Sequence, residues 1–145
     1  MLVDYEKYDV FISYSRKDKA IVDEIRQLLD ANSITYWLDT EKNRMGSEFM
    51  GDIVDAIEKS DLVLFISSVN SNASHNVAKE ISIADKFKKT ILPVRIDDAP
   101  YSSVIEYDLI GVDYIDYSKR SNESLEKLRK SILARLLISD TLAAL

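Results

Sequence analysis

Two apolar runs in this chain break abruptly into hydroxyls and charge. Val10-Phe11-Ile12 gives way to Ser13-Tyr14-Ser15-Arg16-Lys17-Asp18, and Leu62-Val63-Leu64-Phe65-Ile66 gives way to Ser67-Ser68-Val69-Asn70-Ser71-Asn72. A helical pattern carrying Glu80 follows the second break, behind Ser74 as its N-cap. Hydroxyls, two cations and one carboxylate gathered at strand ends suggest a polar site, because a fixed carboxylate can stabilise a developing positive charge or move a proton. Taking Val77 as the origin of a wheel turning about 100° per residue, Glu80 falls near −60°, at the border of the stripe formed by Val77, Ile81 and Ala84. Most carboxylates on helices are simply solvated, so Glu80 draws attention only through the serine-rich loop before it.

Other chemistries lack their residues. With only Gly46, Gly51 and Gly111, the chain has neither GxGxxG nor GxxxxGK[ST], which excludes a glycine-built phosphate cradle. A phosphoacceptor receiver needs acids where Ser13, Tyr14, Ser67 and Ser68 stand. One histidine, His75, cannot build a multi-histidine metal site or supply a triad without a nucleophile elbow, and Asp97-Asp98 reads as a solvated strand end, so no metal is expected. Trp37 reads as a core or interface aromatic, and Lys88-Lys89 as a helix C-terminus. The net charge of −6 argues against nucleic acid, and the absence of cysteine excludes disulfides and thiol chemistry. No apolar stretch is long enough to span a membrane, and the N-terminus lacks a signal-peptide layout, so a cytoplasmic location is expected.

The elements that must position these residues alternate. Residues 8–14, 34–38, 62–66, 90–96 and 112–116 read as strands. Between them, Ala20, Ile21, Ile25, Leu28 and Leu29 recur at helical spacing behind Asp18 as a cap. Ile53, Ala56 and Ile57 mark a helix starting near Ser47, and Leu125, Leu128, Ile132, Leu136 and Leu137 mark the last one. Residues 97–110 read as irregular or weakly helical. Pro93 has no N–H for a ladder, which predicts a place near an edge or bulge. The expected fold is α/β: a five-stranded parallel sheet in the flavodoxin-like order 2-1-3-4-5 with helices on both faces. At 145 residues, 46% of them hydrophobic, the chain is expected to be one domain with its core in 8–138. Ligands of such sheets bind beyond the carboxyl ends of the strands where the winding reverses, here Ser13-Tyr14-Ser15 and Ser67-Ser68.

Taken in order, these motifs resemble a bacterial TIR (Toll/interleukin-1 receptor) domain. The residues that carry the resemblance are Tyr8-Asp9-Val10-Phe11-Ile12-Ser13-Tyr14-Ser15 with Asp18, the loop from Asp39 to Gly46, Ile53-x-x-Ala56-Ile57-x-x-Ser60, Ser67-x-x-x-Ser71-x-x-Ser74 leading to Glu80, and Ile91-Leu92-Pro93-Val94. The resemblance implies cleavage of NAD⁺ at the nicotinamide–ribose bond, with Glu80 matching the family's catalytic glutamate and no cofactor beyond the substrate. Nicotinamide plus ADP-ribose, or a cyclic isomer, would be released, in bacterial immune or cell-death signalling. Ser13, Ser67 and Ser68 would then hold ribose hydroxyls, and Arg16, Lys17 and Arg44 would meet the pyrophosphate. Tyr14, Ser74 and Asn76 complete the substrate-facing set. Where the family often has an aromatic residue four positions before the glutamate, this chain has Asn76.

The resemblance also implies assembly with other TIR domains through the family's BB loop, here Asp39, Glu41, Asn43, Arg44, Met45 and Gly46. A non-enzymatic interaction module acting through that loop is the alternative reading. A nucleoside deoxyribosyltransferase-like enzyme shares the topology and a glutamate nucleophile.

Overall fold

The computed structural model describes residues 7–38 and 46–145, the side chains of 46–50 excepted. In chain order the elements are β1 (Tyr8–Ser13), a 3-10 turn (Arg16–Asp18), α1 (Lys19–Ala31), β2 (Tyr36–Leu38), α2 (Gly46–Glu58) and β3 (Ser60–Ser67). They continue as α3 (Val69–Asn72), α4 (His75–Lys86), β4 (Thr90–Arg95), α5 (Ser103–Leu109), β5 (Ile115–Asp116) and α6 (Asn122–Ala144). The strands form a parallel five-stranded sheet in the order β2-β1-β3-β4-β5. The winding reverses between β1 and β3, as the alternation of strand and helix patterns predicts.

Strand parity sorts the core into two layers. Leu62, Leu64 and Ile66 of β3 share one face with Val10 and Ile12, covered by Val22, Ile25 and Leu29 of α1 and by Leu128, Ile132 and Leu136 of α6. Val63 and Phe65 share the other face with Phe11, covered by Ala56 and Ile57 of α2, Val77, Ile81 and Ala84 of α4, and Ile105 and Leu109 of α5. Burial on both sides is why β3 reads as an unbroken apolar run, and each such side chain contributes on the order of 1.5–3 kcal/mol. By the same parity Ser13 and Ser67 fall on the face that α4 covers. Partly buried, Trp37 stacks on Phe11 in this layer, ring centroids 5.1 Å apart, in keeping with its reading as a core or interface aromatic.

Several boundaries differ from the sequence reading, each for a local reason. In α1 the buried stripe is Val22, Ile25 and Leu29, and Ala20 is exposed. β2 begins at Tyr36 because Thr35 meets β1 partly through side chains: its N–H donates to Asp9 Oδ2 at 2.9 Å, and its Oγ1 accepts from the Asp9 N–H at 3.0 Å. Gly46, read as the end of a loop, is the first residue of α2. Pro93 lies in an interior strand rather than at an edge, opposite Phe65 of β3. It is tolerated there because β5 pairs only Val94 and Arg95. The stretch read as irregular or weakly helical contains α5, whose N-cap Ser102 accepts from the Ile105 N–H at 3.3 Å. Asp39, Glu41, Asn43, Arg44 and Met45 lie outside the described residues. Among the described residues, no helix is long and apolar enough to cross a membrane.

Candidate functional site

Ser13 ends β1 and is fully buried, and its Oγ donates a hydrogen bond of 2.7 Å to Glu80 Oε1. The wheel sets Glu80 at the border of the buried stripe; packing over Ser13 leaves it only 5% exposed. Burying a carboxylate is costly unless donors reach it, and the hydroxyl that closes β1 is one such donor. Ser74 Oγ accepts from the Val77 N–H at 3.2 Å, so α4 is capped as expected and its first turns stand at the carboxyl edge of the sheet.

A pocket of about 210 Å³ opens on Glu80, lined also by Tyr14, Ser15, Arg16, Lys17, Ser74, Asn76 and Val77. One wall is the connection from β1 to α1, carrying Arg16 and Lys17; the other is the start of α4, carrying Glu80. Asn76 precedes Glu80 by one helical turn and shares its face. Thus Tyr14, Arg16, Lys17, Ser74, Asn76 and Glu80, singled out from the sequence, come together around one cavity, with Ser13 bonded to Glu80. His75 is exposed and is not among the lining residues.

Ser67 and Ser68 do not join them. Both are buried. Ser67 Oγ accepts from Asn72 Nδ2 at 3.1 Å, while Ser68 Oγ donates to Asp18 Oδ2 and accepts from the Ser71 N–H at 3.0 Å. The expectation that Ser13, Ser67 and Ser68 hold substrate hydroxyls is corrected accordingly: the buried Ser13 hydroxyl is given to Glu80, and Ser67 and Ser68 fasten the turn after β3. Asp18 is corrected too. It occupies the N-cap position of α1 but makes no capping hydrogen bond with its side chain. Instead it lies buried and accepts from Ser68 Oγ and, at 2.8 Å, from Asn70 Nδ2.

Two lining residues are absent from the expected substrate-facing set. Ser15 belongs to the same hydroxyl run as Ser13, and it accepts from the Lys17 N–H at 3.3 Å as the cap of the 3-10 turn. Val77 carried only a core signal. A cavity with one buried carboxylate, flanking hydroxyls and a basic wall suits an electron-poor sugar carbon attached to an anionic tail, with the carboxylate set to meet positive charge.

The comparisons with known proteins bear on the fold and the family. The family model for the TIR domain matches residues 10–132. A protein of Cytobacillus dafuensis named as a candidate cyclic ADP-D-ribose synthase, TIR2, is 28% identical over 111 residues; the match covers 70% of this chain and 29% of that relative's length. Among solved structures, the TIR domain of the Toll-related receptor TRR-2 of Hydra magnipapillata superposes with a TM-score of 0.71 at 21% identity, covering 87% of this chain and 98% of that one. The TIR domains of the activated Roq1 resistosome, which recognises the pathogen effector XopQ, give 0.63 at 18% identity, covering 88% and 98%. The CMP N-glycosidase BcmB of Clostridium botulinum gives 0.59 at 23% identity, covering 82% and 96%. At these identities the structural likenesses speak to the fold, and the match to the family model speaks to kinship: this chain belongs to the TIR domain family.

Proposed function

We propose that this TIR domain cleaves NAD⁺ at the bond between nicotinamide and ribose. The observation that carries the reading is Glu80, buried, hydrogen-bonded by Ser13 and opening into the pocket walled by Arg16 and Lys17. As the C–N bond breaks, its electron pair leaves with nicotinamide, which becomes neutral, and positive charge develops on the ribose carbon. The Glu80 carboxylate stabilises that charge, as in glycoside hydrolysis. Water then adds and gives up a proton to form ADP-ribose, or a nitrogen of the adenine adds and closes a cyclic isomer. The relative named as a candidate cyclic ADP-D-ribose synthase supports this substrate. A bacterial immune or cell-death role in the cytoplasm fits the same reading.

The pocket volume of about 210 Å³ is below the ~300–1,000 Å³ usual for small-molecule sites, so it suits the nicotinamide riboside half of the substrate rather than a whole dinucleotide. A neighbouring TIR domain supplying residues 39–46 would complete the enclosure, and the resistosome likeness supports assembly of this kind. The test is to incubate the protein with NAD⁺ over a wide range of protein concentration, quantify nicotinamide and identify the other product by mass spectrometry. Release that steepens with concentration is expected. Inactivity in the assembled state would leave the interaction module as the function, and cleavage of a nucleoside 5′-monophosphate instead of NAD⁺ would move the substrate class toward that of the N-glycosidase.

A further inference from the structure

The two walls of the pocket belong to different connections, so their spacing depends on whatever ties those connections together. The turn α3, which leads into the Glu80 wall, is fastened on several sides. Ser68 and Ser71 form a capping box. The Val69 N–H donates to Asp97 Oδ2 at 2.9 Å. Asn72 donates through Nδ2 to the Ser68 carbonyl at 2.9 Å, while its Oδ1 accepts from the Ser102 N–H at 2.9 Å. The opposite wall ends in the 3-10 turn, closed by the Asp18 N–H donating to the Ser15 carbonyl at 2.9 Å. Asp18 then reaches across to Ser68 and Asn70.

We infer that Asp18 is a positioning residue: its buried carboxylate hooks the basic wall of residues 14–17 onto the rigid turn α3 and so fixes that wall opposite Glu80. Helix α1 does not explain the burial, since Asp18 makes no capping hydrogen bond with its side chain, and an exposed cap would avoid the desolvation. The two donors that meet it come from 50 and 52 residues away, so the contact is tertiary by construction. Glu80 also has supports outside the Asp18 contacts, in Ser13 and in the packing of α4. Loosening Asp18 should therefore weaken substrate binding and spare the chemical step.

The experiment exchanges donor and acceptor. Asn70→Asp sets two acceptors against each other, and Asp18→Asn combined with Asn70→Asp restores one donor facing one acceptor with the roles reversed. Amide hydrogen exchange at Lys17 and Asp18 reads the wall directly; KM and kcat for NAD⁺ read its consequence, an arm that rests on the proposed activity. In the single variant we expect about tenfold faster exchange at those amides and about tenfold higher KM, with kcat within about threefold, the scale of one charge-assisted hydrogen bond. The double variant should recover both. If the wild-type protein does not cleave NAD⁺, the proposed activity fails while the exchange pattern still decides the role of Asp18. Unchanged exchange in the single variant, no recovery in the double, or kcat, KM and melting temperature all falling together would overturn the assignment.

Discussion

The strands β1 and β3 end alike in sequence and differently in space. Each passes from aliphatic residues into serine, and each serine is buried. Ser13 nevertheless faces Glu80 beside a cavity, while Ser67 and Ser68 are absorbed into the turn that follows them. The difference lies in what comes next. After β3, Ser71 and Asn72 sit within one turn and bond the serines at once, whereas after β1 no such partner is nearby in sequence and the hydroxyl turns to an acid 67 residues away. A hydroxyl at a strand end can serve a distant side chain only if its own loop does not claim it first.

The contrast can be broken at Glu80 with the largest effect. Glu80→Gln keeps the size and can still accept from Ser13, yet it removes the negative charge. A loss of about a hundredfold or more in nicotinamide release is expected, with little change in melting temperature. A folded variant retaining more than about a tenth of the activity would remove Glu80 from the chemistry. Ser13→Ala is next. Taking a donor from a buried carboxylate should lower stability by about 1–3 kcal/mol and reduce the rate while leaving substrate affinity nearly unchanged, measurable as a fall in kcat at constant KM.

Ser67→Ala sharpens the comparison from the other side. It should leave both kinetic constants unchanged and cost about 1 kcal/mol, read by denaturant melts, because its partner Asn72 keeps two further hydrogen bonds. A clear loss of activity there would return Ser67 to the site. The smallest effect is expected at Lys88. It is exposed, follows α4 and holds the left-handed conformation at φ 57. Lys88→Gly should stabilise the fold by roughly 0.5–1 kcal/mol without touching activity.

Much of this architecture is legible in the residues. The double-sided burial of β3 shows as an unbroken apolar run, the cap of α4 shows as Ser74, and the serine-rich loop before α4 draws attention to Glu80 at the border of the buried stripe. These are local signals of period and composition, which short-range physics fixes. The destinations of Ser67, Ser68 and Asp18 are not local. The partner that disqualifies Ser68 as a ligand group lies 50 residues upstream, and Asp18 reads equally well as an ordinary helix cap. The edges of β2 and β5 were misjudged because pairing, rather than β-propensity, decides where a ladder stops.

The bond between Ser13 and Glu80 also has a kinetic meaning. It closes a loop of 67 residues, for which chain entropy alone sets a penalty of roughly 4 kcal/mol. The central ladder beneath it pairs Tyr8 with Ser60 and Ser13 with Phe65, also distant along the chain. Contacts of such high order form late and with the whole sheet. Partly folded chains therefore lack this pairing, and the site comes into being only when β1 and β3 have met and α4 has docked across them.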